Sequence, residues 1–158
     1  MSACYTNREV YTMPDDVIYH GRYVGIDVGD SRVGVSISDE NKTIAFPLAV
    51  IERENNSYGF NQIKKLLNEK TIDAFVVGLP VRSDGTLGKQ GEKVKKYFNS
   101  LKEYFNVEVI SWDERYTTVI AKKSLLETRS KLEKRKKAVD DIAAQIILQS
   151  YLDHINKK

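Results

Sequence analysis

Residues 25–36 have the sequence GIDVGDSRVGVS, and they decide the fold because an acid lies inside a strand pattern. Residues 22–28 predict a β-strand, residues 29–31 a turn, and residues 32–38 a second strand with alternating apolar positions. A buried carboxylate without a partner is costly, so Asp27 needs a physical reason. It either caps the turn that follows or belongs to a functional site.

The composition indicates one globular domain. The chain has 158 residues, 41% of them hydrophobic and 30% charged, and no apolar run long enough to span a membrane. A net charge of +3 permits an acidic partner such as nucleic acid without requiring one. The single cysteine, Cys4, excludes an internal disulfide and a multi-cysteine metal site, and it suits a reducing compartment. We therefore expect a cytoplasmic protein.

The N-terminal residues differ from the rest of the chain. Residues 1–20 lack the apolar core of a signal peptide and are too acidic for a typical transit peptide. We expect residues 1–21 to form a flexible extension and residues 22–158 to form a single domain.

The order of elements predicts an α/β fold. TIAFPLAVI continues the two opening strands as a third antiparallel strand, with Pro47 at an edge or a bend. A helix, the buried strand AFVVGLP, a second helix and the strand NVEVISW follow. A helix from Thr117 or Thr118 to about Glu127 and a last helix from about Ala138 to Tyr151 complete the chain. This order predicts a mixed five-stranded sheet flanked by helices, the ribonuclease H-like arrangement.

Three acids fall where the predicted elements bring them to one edge of the sheet. Asp27 ends the first strand, Glu114 follows the last strand, and Asp140 lies in the first turn of the last helix. Each has a simpler explanation: Glu114 as a solvated loop acid, Asp140 as a favourable charge at a helix start. Acids brought together repel one another unless a cation holds them, and Mg²⁺ prefers such oxygen ligands. Two such ions can align a water for attack on a phosphodiester.

The chain contains few residues that would suit other catalytic mechanisms. Its two histidines, His20 and His154, lie near the termini, which disfavours a histidine-centred mechanism and zinc ligation. No plausible base accompanies Ser36, Ser38 or Ser111, so we do not expect a serine nucleophile.

Four segments together resemble a known family. YVGIDVGDSRVGVSISD, FVVGLPVRSDGTLG, WDERYTT and AVDDIAAQIILQSYLD, in this order, are similar to the YqgF/RuvX family of ribonuclease H-like nucleases over about Arg22 to Leu152. The resemblance implies that Asp27, Glu114 and Asp140 are the catalytic and metal-binding acids. The metal would be Mg²⁺, with Mn²⁺ possible. Asp141 lies about 100° away around the helix and is a weaker candidate for a fourth ligand.

The resemblance also implies a nucleic-acid substrate. The family was first described as a Holliday junction resolvase and is now more often assigned to maturation of the 5′ end of precursor 16S rRNA. We prefer the RNA assignment and keep branched DNA as the alternative. The sequence leaves the oligomeric state open between monomer and homodimer.

Several cationic and polar residues are candidates for binding the strand. Arg32 and Arg115 would either grip a phosphate through a bidentate fork or form salt bridges that orient Asp27 or Glu114. Thr117 and Thr118 either cap a helix or stand where its free amides meet a phosphate. The basic stretch before Asp140, a solvated face in the simplest interpretation, also suits phosphate contacts through Lys134, Arg135, Lys136 and Lys137.

Two further features leave alternatives open. Trp112 and Tyr116 are suited to stack an unpaired base, although Trp112 equally suits a core position. A D-x-G turn also opens sugar kinases and actin-like ATPases, but their two lobes need a longer chain. A binding module without catalytic activity is a further alternative, which the retention of three acids disfavours.

Overall fold

Strand β1 (Arg22–Val28) is the middle strand of a five-stranded sheet in the computed structural model, which describes residues 21–54, 57–117 and 137–157, with side chains in the last segment from residue 142. The other strands are β2 (Arg32–Ser38), β3 (Ala45–Glu52), β4 (Ile72–Leu79) and β5 (Glu108–Asp113). Their order in the sheet is β3-β2-β1-β4-β5. The first three strands pair antiparallel, whereas β4 and β5 extend the sheet in parallel. The predicted mixed sheet is confirmed.

Helices cover both faces of this sheet because its central strands bury alternate side chains on opposite sides. Phe75 and Val77 of β4 pack in the larger core with helices α1 (Phe60–Leu66) and α2 (Lys89–Phe105). Val76, between them, faces a second core formed with helix α3 (Lys137–Asn156). Helix α2 buries one stripe of side chains, Val94, Tyr97, Leu101 and Phe105.

Helix α3 runs antiparallel to β1. The ring of Tyr151 lies 5.8 Å from that of Tyr23 at the start of β1. Two residues further along the strand, a Cβ built on Gly25 would lie 2.8 Å from the carbonyl oxygen of Ala144 and 2.7 Å from Cβ of Leu148. The first turn of α3 therefore lies toward the carboxyl end of β1.

Some predictions need adjustment and others lie outside the described residues. Pro47 is on edge strand β3, as predicted, beside a register shift in the pairing with β2. Helix α3 continues to Asn156 rather than ending at Tyr151, and its fully buried positions include Ala144. The helix predicted to end near Glu127 and residues 1–20 lie outside the described residues. No helix in the described part of the chain is long and apolar enough to cross a membrane.

Candidate active site

Asp27 lies between two glycines in one row across the sheet. It pairs with Gly34 of β2. On the other side, Ile26 pairs with Val77 in parallel register, which sets Asp27 beside Gly78 of β4. Because side chains two residues apart share a face, Asp27 lies on the same face as Gly25, the face that α3 covers. The half-buried Asp27 side chain therefore has no Cβ atom beside it on either flanking strand.

Glu114 reaches the same place from the end of β5. Gly78 pairs with Trp112, and Glu114 follows two residues later in the 3-10 helix Glu114–Tyr116. A Cβ built on Gly78 would lie 2.9 Å from Oε1 of Glu114 and 2.4 Å from Cδ1 of Ile147 in α3. The side chains of Glu114 and Ile147 therefore lie directly over Gly78, in the place that a larger residue would need. We name the space bounded by Asp27, Gly34, Gly78 and Glu114 the glycine trough.

Asp140 belongs to the turn of α3 that approaches the glycine trough. It precedes Ala144 by one turn, a rise of about 6 Å. Asp27 is two residues beyond Gly25, a similar distance of about 6.6 Å along the strand. Since Ala144 lies over Gly25 and the two elements run antiparallel, the backbone at Asp140 is on the side of α3 nearest Asp27. The side chains of Asp140 and Asp141 are outside the described part of the helix.

The donor set at the glycine trough fits a hard divalent cation. Asp27 and Glu114 offer carboxylate oxygens, and the missing Cβ atom at Gly78 allows the Glu114 carboxylate to lie close to the sheet. Among the side chains that the structure describes, no three histidine, cysteine or carboxylate residues are grouped closely enough to hold a metal ion. The third predicted acid, Asp140, is not one of those side chains.

The guanidinium of Arg115 hydrogen-bonds to the carboxylate of a neighbouring acid. Its Nε lies 2.9 Å and its Nη2 2.7 Å from Oδ2 of Asp113, the last residue of β5. These hydrogen bonds lower the pKa of Asp113 and raise that of Arg115. The described salt bridge of Arg115 is thus to Asp113, not to Asp27 or Glu114 as one prediction had it. The Arg115 side chain remains 46% exposed.

A second arginine, which the sequence analysis did not select, lies beside Arg115. Nη1 of Arg115 donates to the carbonyl of Arg82 at 3.3 Å. Arg82 lies in a turn closed by the hydrogen bond from its N–H to Thr86, with Gly85 at a φ of 85°. The side-chain hydrogen bond from Thr86 lowers the pKa of Asp84 in the same turn. In the sequence, Arg82 is indicated by its position just after β4, at the edge of the sheet where the predicted acids lie.

The turn between β1 and β2 is held from three directions. Nη1 of Arg53 donates to the carbonyl of Gly29 at 2.8 Å, and Nε2 of Gln90 donates to that of Val28 at 3.1 Å. Lys93 forms an ion pair with Asp30 at 2.8 Å and lowers its pKa, chiefly through this hydrogen bond. These contacts fix the chain just after Asp27. They involve the neighbouring backbone and the side chain of Asp30.

The remaining predicted binding residues are only partly described. Arg32 lies 4.0 Å from Glu52 across β2 and β3. Thr117 is 8% exposed, and its N–H donates to the carbonyl of Glu114 at 3.0 Å, so this amide is occupied. Thr118, Lys134, Arg135 and Lys136 lie outside the described residues. Lys137 begins α3, but its side chain is not described.

Comparison with known proteins agrees with this arrangement. The model of the family RuvX: Holliday junction resolvase matches residues 21–154. A relative from Thermoanaerobacter pseudethanolicus, named as a candidate pre-16S rRNA nuclease, is 46% identical over 87% of this chain and 99% of its own length. A relative from Clostridium botulinum strain Hall with the same name is 43% identical over 86% of this chain and 99% of its own.

A solved structure shares the fold at much lower identity. Thermus thermophilus RuvC, in a complex with a Holliday junction substrate, superposes with a TM-score of 0.56 at 15% identity. The alignment covers 88% of this chain and 99% of the RuvC chain. At this identity the likeness supports the ribonuclease H-like fold alone.

Proposed function

Because the chain belongs to the RuvX family, we propose that it is a metal-dependent endonuclease that hydrolyses phosphodiester bonds, with the 5′ end of pre-16S rRNA as its preferred substrate. The family match and the names of the relatives support the nuclease activity. The glycine trough is the observation that carries the mechanism, because Gly78 lies beside Asp27 and allows the Glu114 carboxylate to approach the same end of the sheet. We also propose that the enzyme acts in the cytoplasm, where rRNA precursors would be met.

We propose Asp27, Glu114 and Asp140 as the residues that hold divalent metal, Mg²⁺ in preference to Mn²⁺. Bound ions of this kind activate a water and stabilise charge on the phosphate and the leaving oxygen. Asp27 and Glu114 supply ligand oxygens from two ends of the trough. The contacts around Val28 and Gly29 keep the strand end in place and so limit reorganisation during turnover.

We propose Arg115 and Arg82 as the groups that position the phosphate backbone. The partly exposed Arg115 guanidinium would contact a phosphate oxygen while Asp113 holds its Nε and Nη2 atoms. Arg32, Thr117, Thr118 and the basic residues Lys134, Arg135, Lys136 and Lys137 remain proposed contacts. Such contacts bind nucleic acid without sequence preference and weaken steeply with added salt.

Branched DNA is the second candidate substrate because the matching family is described as a Holliday junction resolvase. A monomer would suffice for a single cut, whereas symmetric cleavage of a four-way junction would favour a homodimer. The kinase-like and non-catalytic alternatives lose support because the family match covers residues 21–154.

The test is cleavage of two labelled substrates, a pre-16S 5′ segment and a four-way DNA junction, with Mg²⁺, with Mn²⁺ or with EDTA. We expect Mg²⁺-dependent cutting of the RNA by the wild type. Asp27→Asn and Glu114→Gln each should reduce the rate at least about 100-fold. Loss of a residue that only hydrogen-bonds to a metal ligand already costs up to about 100-fold in activity, and loss of the ligand itself should cost no less. Binding of the RNA in EDTA should change little.

The matched control is Glu103→Gln, which removes an exposed carboxylate from α2 on the opposite face of the sheet. This variant should cleave like the wild type. If Asp27→Asn cleaves at the wild-type rate, the proposed site is wrong. Cutting of the junction but not of the RNA would replace the preferred substrate with branched DNA.

A further inference from the structure

An aromatic cluster extends from the candidate active site across the outer end of β5. Trp112 is at its centre, with its ring 5.3 Å from that of Tyr116, 5.4 Å from that of Tyr151 and 5.1 Å from that of His154. Tyr116 is two residues after Glu114, in the same 3-10 helix. The cluster is therefore continuous with the glycine trough.

The two central aromatic residues have different environments. Trp112 is half-buried and packs in the second core with Tyr151 and Ile155 of α3. Tyr116 is 64% exposed, which makes it the most exposed large hydrophobic residue among the described side chains. Trp112 thus forms a supporting layer, and the ring of Tyr116 lies on its solvent side.

A hydrogen-bond chain holds this pair against α3. Nε1 of Trp112 donates to Oγ of Ser150 at 3.1 Å, and the Ser150 hydroxyl donates to the carbonyl of Tyr116 at 3.4 Å. One hydroxyl therefore fixes both the indole and the backbone of the 3-10 helix. An exposed aromatic ring that is fixed in advance loses little conformational entropy when a flat ligand stacks on it.

We propose that Tyr116, supported by Trp112, is a stacking platform for an unpaired base of the nucleic acid next to the cleaved phosphate. This inference rests on the proposed function and adds the substrate class, a single-stranded segment at the site. Aromatic rings stack on unpaired bases, whereas a base inside a continuous duplex does not offer its face. Arg115 lies between Glu114 and Tyr116 in sequence, so a phosphate-binding group and a base-binding group are adjacent.

The test uses binding in EDTA, so that it does not depend on cleavage. The probes are a single-stranded oligoadenylate RNA of about ten nucleotides and an abasic strand of equal length, with the same number of phosphates. Trp112 is the single tryptophan of the chain, so its fluorescence reports directly on this cluster. We expect oligoadenylate to change the Trp112 emission and to bind more tightly than the abasic strand.

Variants assign the effect to Tyr116. Tyr116→Ala should weaken oligoadenylate binding about 5- to 150-fold and leave abasic binding nearly unchanged, since stacking on one base has a value of this size. Tyr116→Phe keeps the ring and should bind like the wild type. Tyr104→Ala is the matched control, because Tyr104 is 44% exposed but lies on α2. Thermal melting of each variant without RNA checks that it is folded.

The outcomes separate this proposal from the proposed function. If folded Tyr116→Ala binds oligoadenylate like the wild type, or if the abasic strand binds equally well, the platform is refuted. Base-dependent binding through Tyr116 without cleavage of any substrate would support the platform and contradict the nuclease activity. Cleavage by the wild type, together with unchanged oligoadenylate binding by Tyr116→Ala, would support the nuclease activity and refute the platform.

Discussion

Asp113 and Arg115 form the best-described ion pair beside the active site, and its titration is measurable. Arg115 lowers the pKa of Asp113 below the ordinary value of 3.8, mainly through side-chain hydrogen bonds. We expect Arg115→Gln to raise the pKa of Asp113 toward 3.8, and NMR titration of the Asp113 carboxyl carbon measures this shift. A lowered pKa stabilises the fold above the ordinary value, and this stabilisation disappears as pH falls through the folded-state pKa.

The stability difference between wild type and Arg115→Gln should therefore be constant near neutral pH and shrink below about pH 3.8. Asp39 is the internal control, because its pKa is lowered chiefly by the hydrogen bond from the backbone N–H of Ile44 and Arg115 does not contribute. An unchanged Asp113 titration in the variant would mean that Arg115 does not hold this carboxylate in solution.

The sequence pattern identifies a polar residue inside an apolar strand more readily than it identifies an important glycine. Asp27 was noticeable because a carboxylate interrupts an apolar strand, and this kind of cost is visible in sequence. Gly34 and Gly78 gave no comparable signal, because their importance comes from pairing with Asp27 and facing Glu114 across three strands. The sequence indicates Arg115 as a candidate phosphate-binding residue but does not indicate Asp113 as its partner. The adjacent acids Asp113 and Glu114 look equivalent until it is known that β5 ends at Asp113.

At the element scale, the contact between β1 and α3 depends on Gly25. A Cβ there would lie 2.3 Å from Oγ of Ser36 and 2.7 Å from Cβ of Leu148, so either the strand or the helix must move. We expect Gly25→Ala to lower the free energy of unfolding by about 1–3 kcal/mol, the usual cost of overpacking. Chemical denaturation measures this loss.

Gly85→Ala is the control for this prediction, because a Cβ at Gly85 would meet no atom within 4 Å. Its left-handed φ of 85° should cost about 1 kcal/mol of local strain without moving α3. Trp112 packs against Tyr151 of α3, so its emission should shift in Gly25→Ala and not in Gly85→Ala. Equal stability of Gly25→Ala and wild type would show that α3 docks less closely than described.

Elements with strong periodicity were predictable, and elements set by tertiary contacts were not. The alternation in β1 and β2 and the stripe of α2 each follow one buried face. Helix α3 contacts the four strands β1 to β4, so buried residues such as Ile142, Ala144 and Ile147 do not form one narrow stripe. The 3-10 helix after β5 is one turn long and has no periodic pattern to detect.

At the scale of the whole molecule, stability should decrease from the centre of the sheet to its edges. β1 pairs on both sides and has helices over both faces, whereas β5 pairs on one side and has no fully buried residue. Native-state hydrogen exchange should therefore be slowest for amides of β1 and its neighbour β4, with opening energies near the global value. Amides of β5 should exchange faster. Equal protection of β1 and β5 would contradict this gradient.

The other edge of the sheet is closed by side chains of α3. Oε1 of Gln149 accepts from the N–H of Ala45 at 2.8 Å, and Nε2 of Gln145 donates to its carbonyl at 3.0 Å. The flanking side chains of Ile44 and Phe46 are 51% and 48% exposed, which would otherwise invite another strand. With both backbone groups of Ala45 occupied and Pro47 nearby, these glutamines protect the protein against edge-to-edge aggregation.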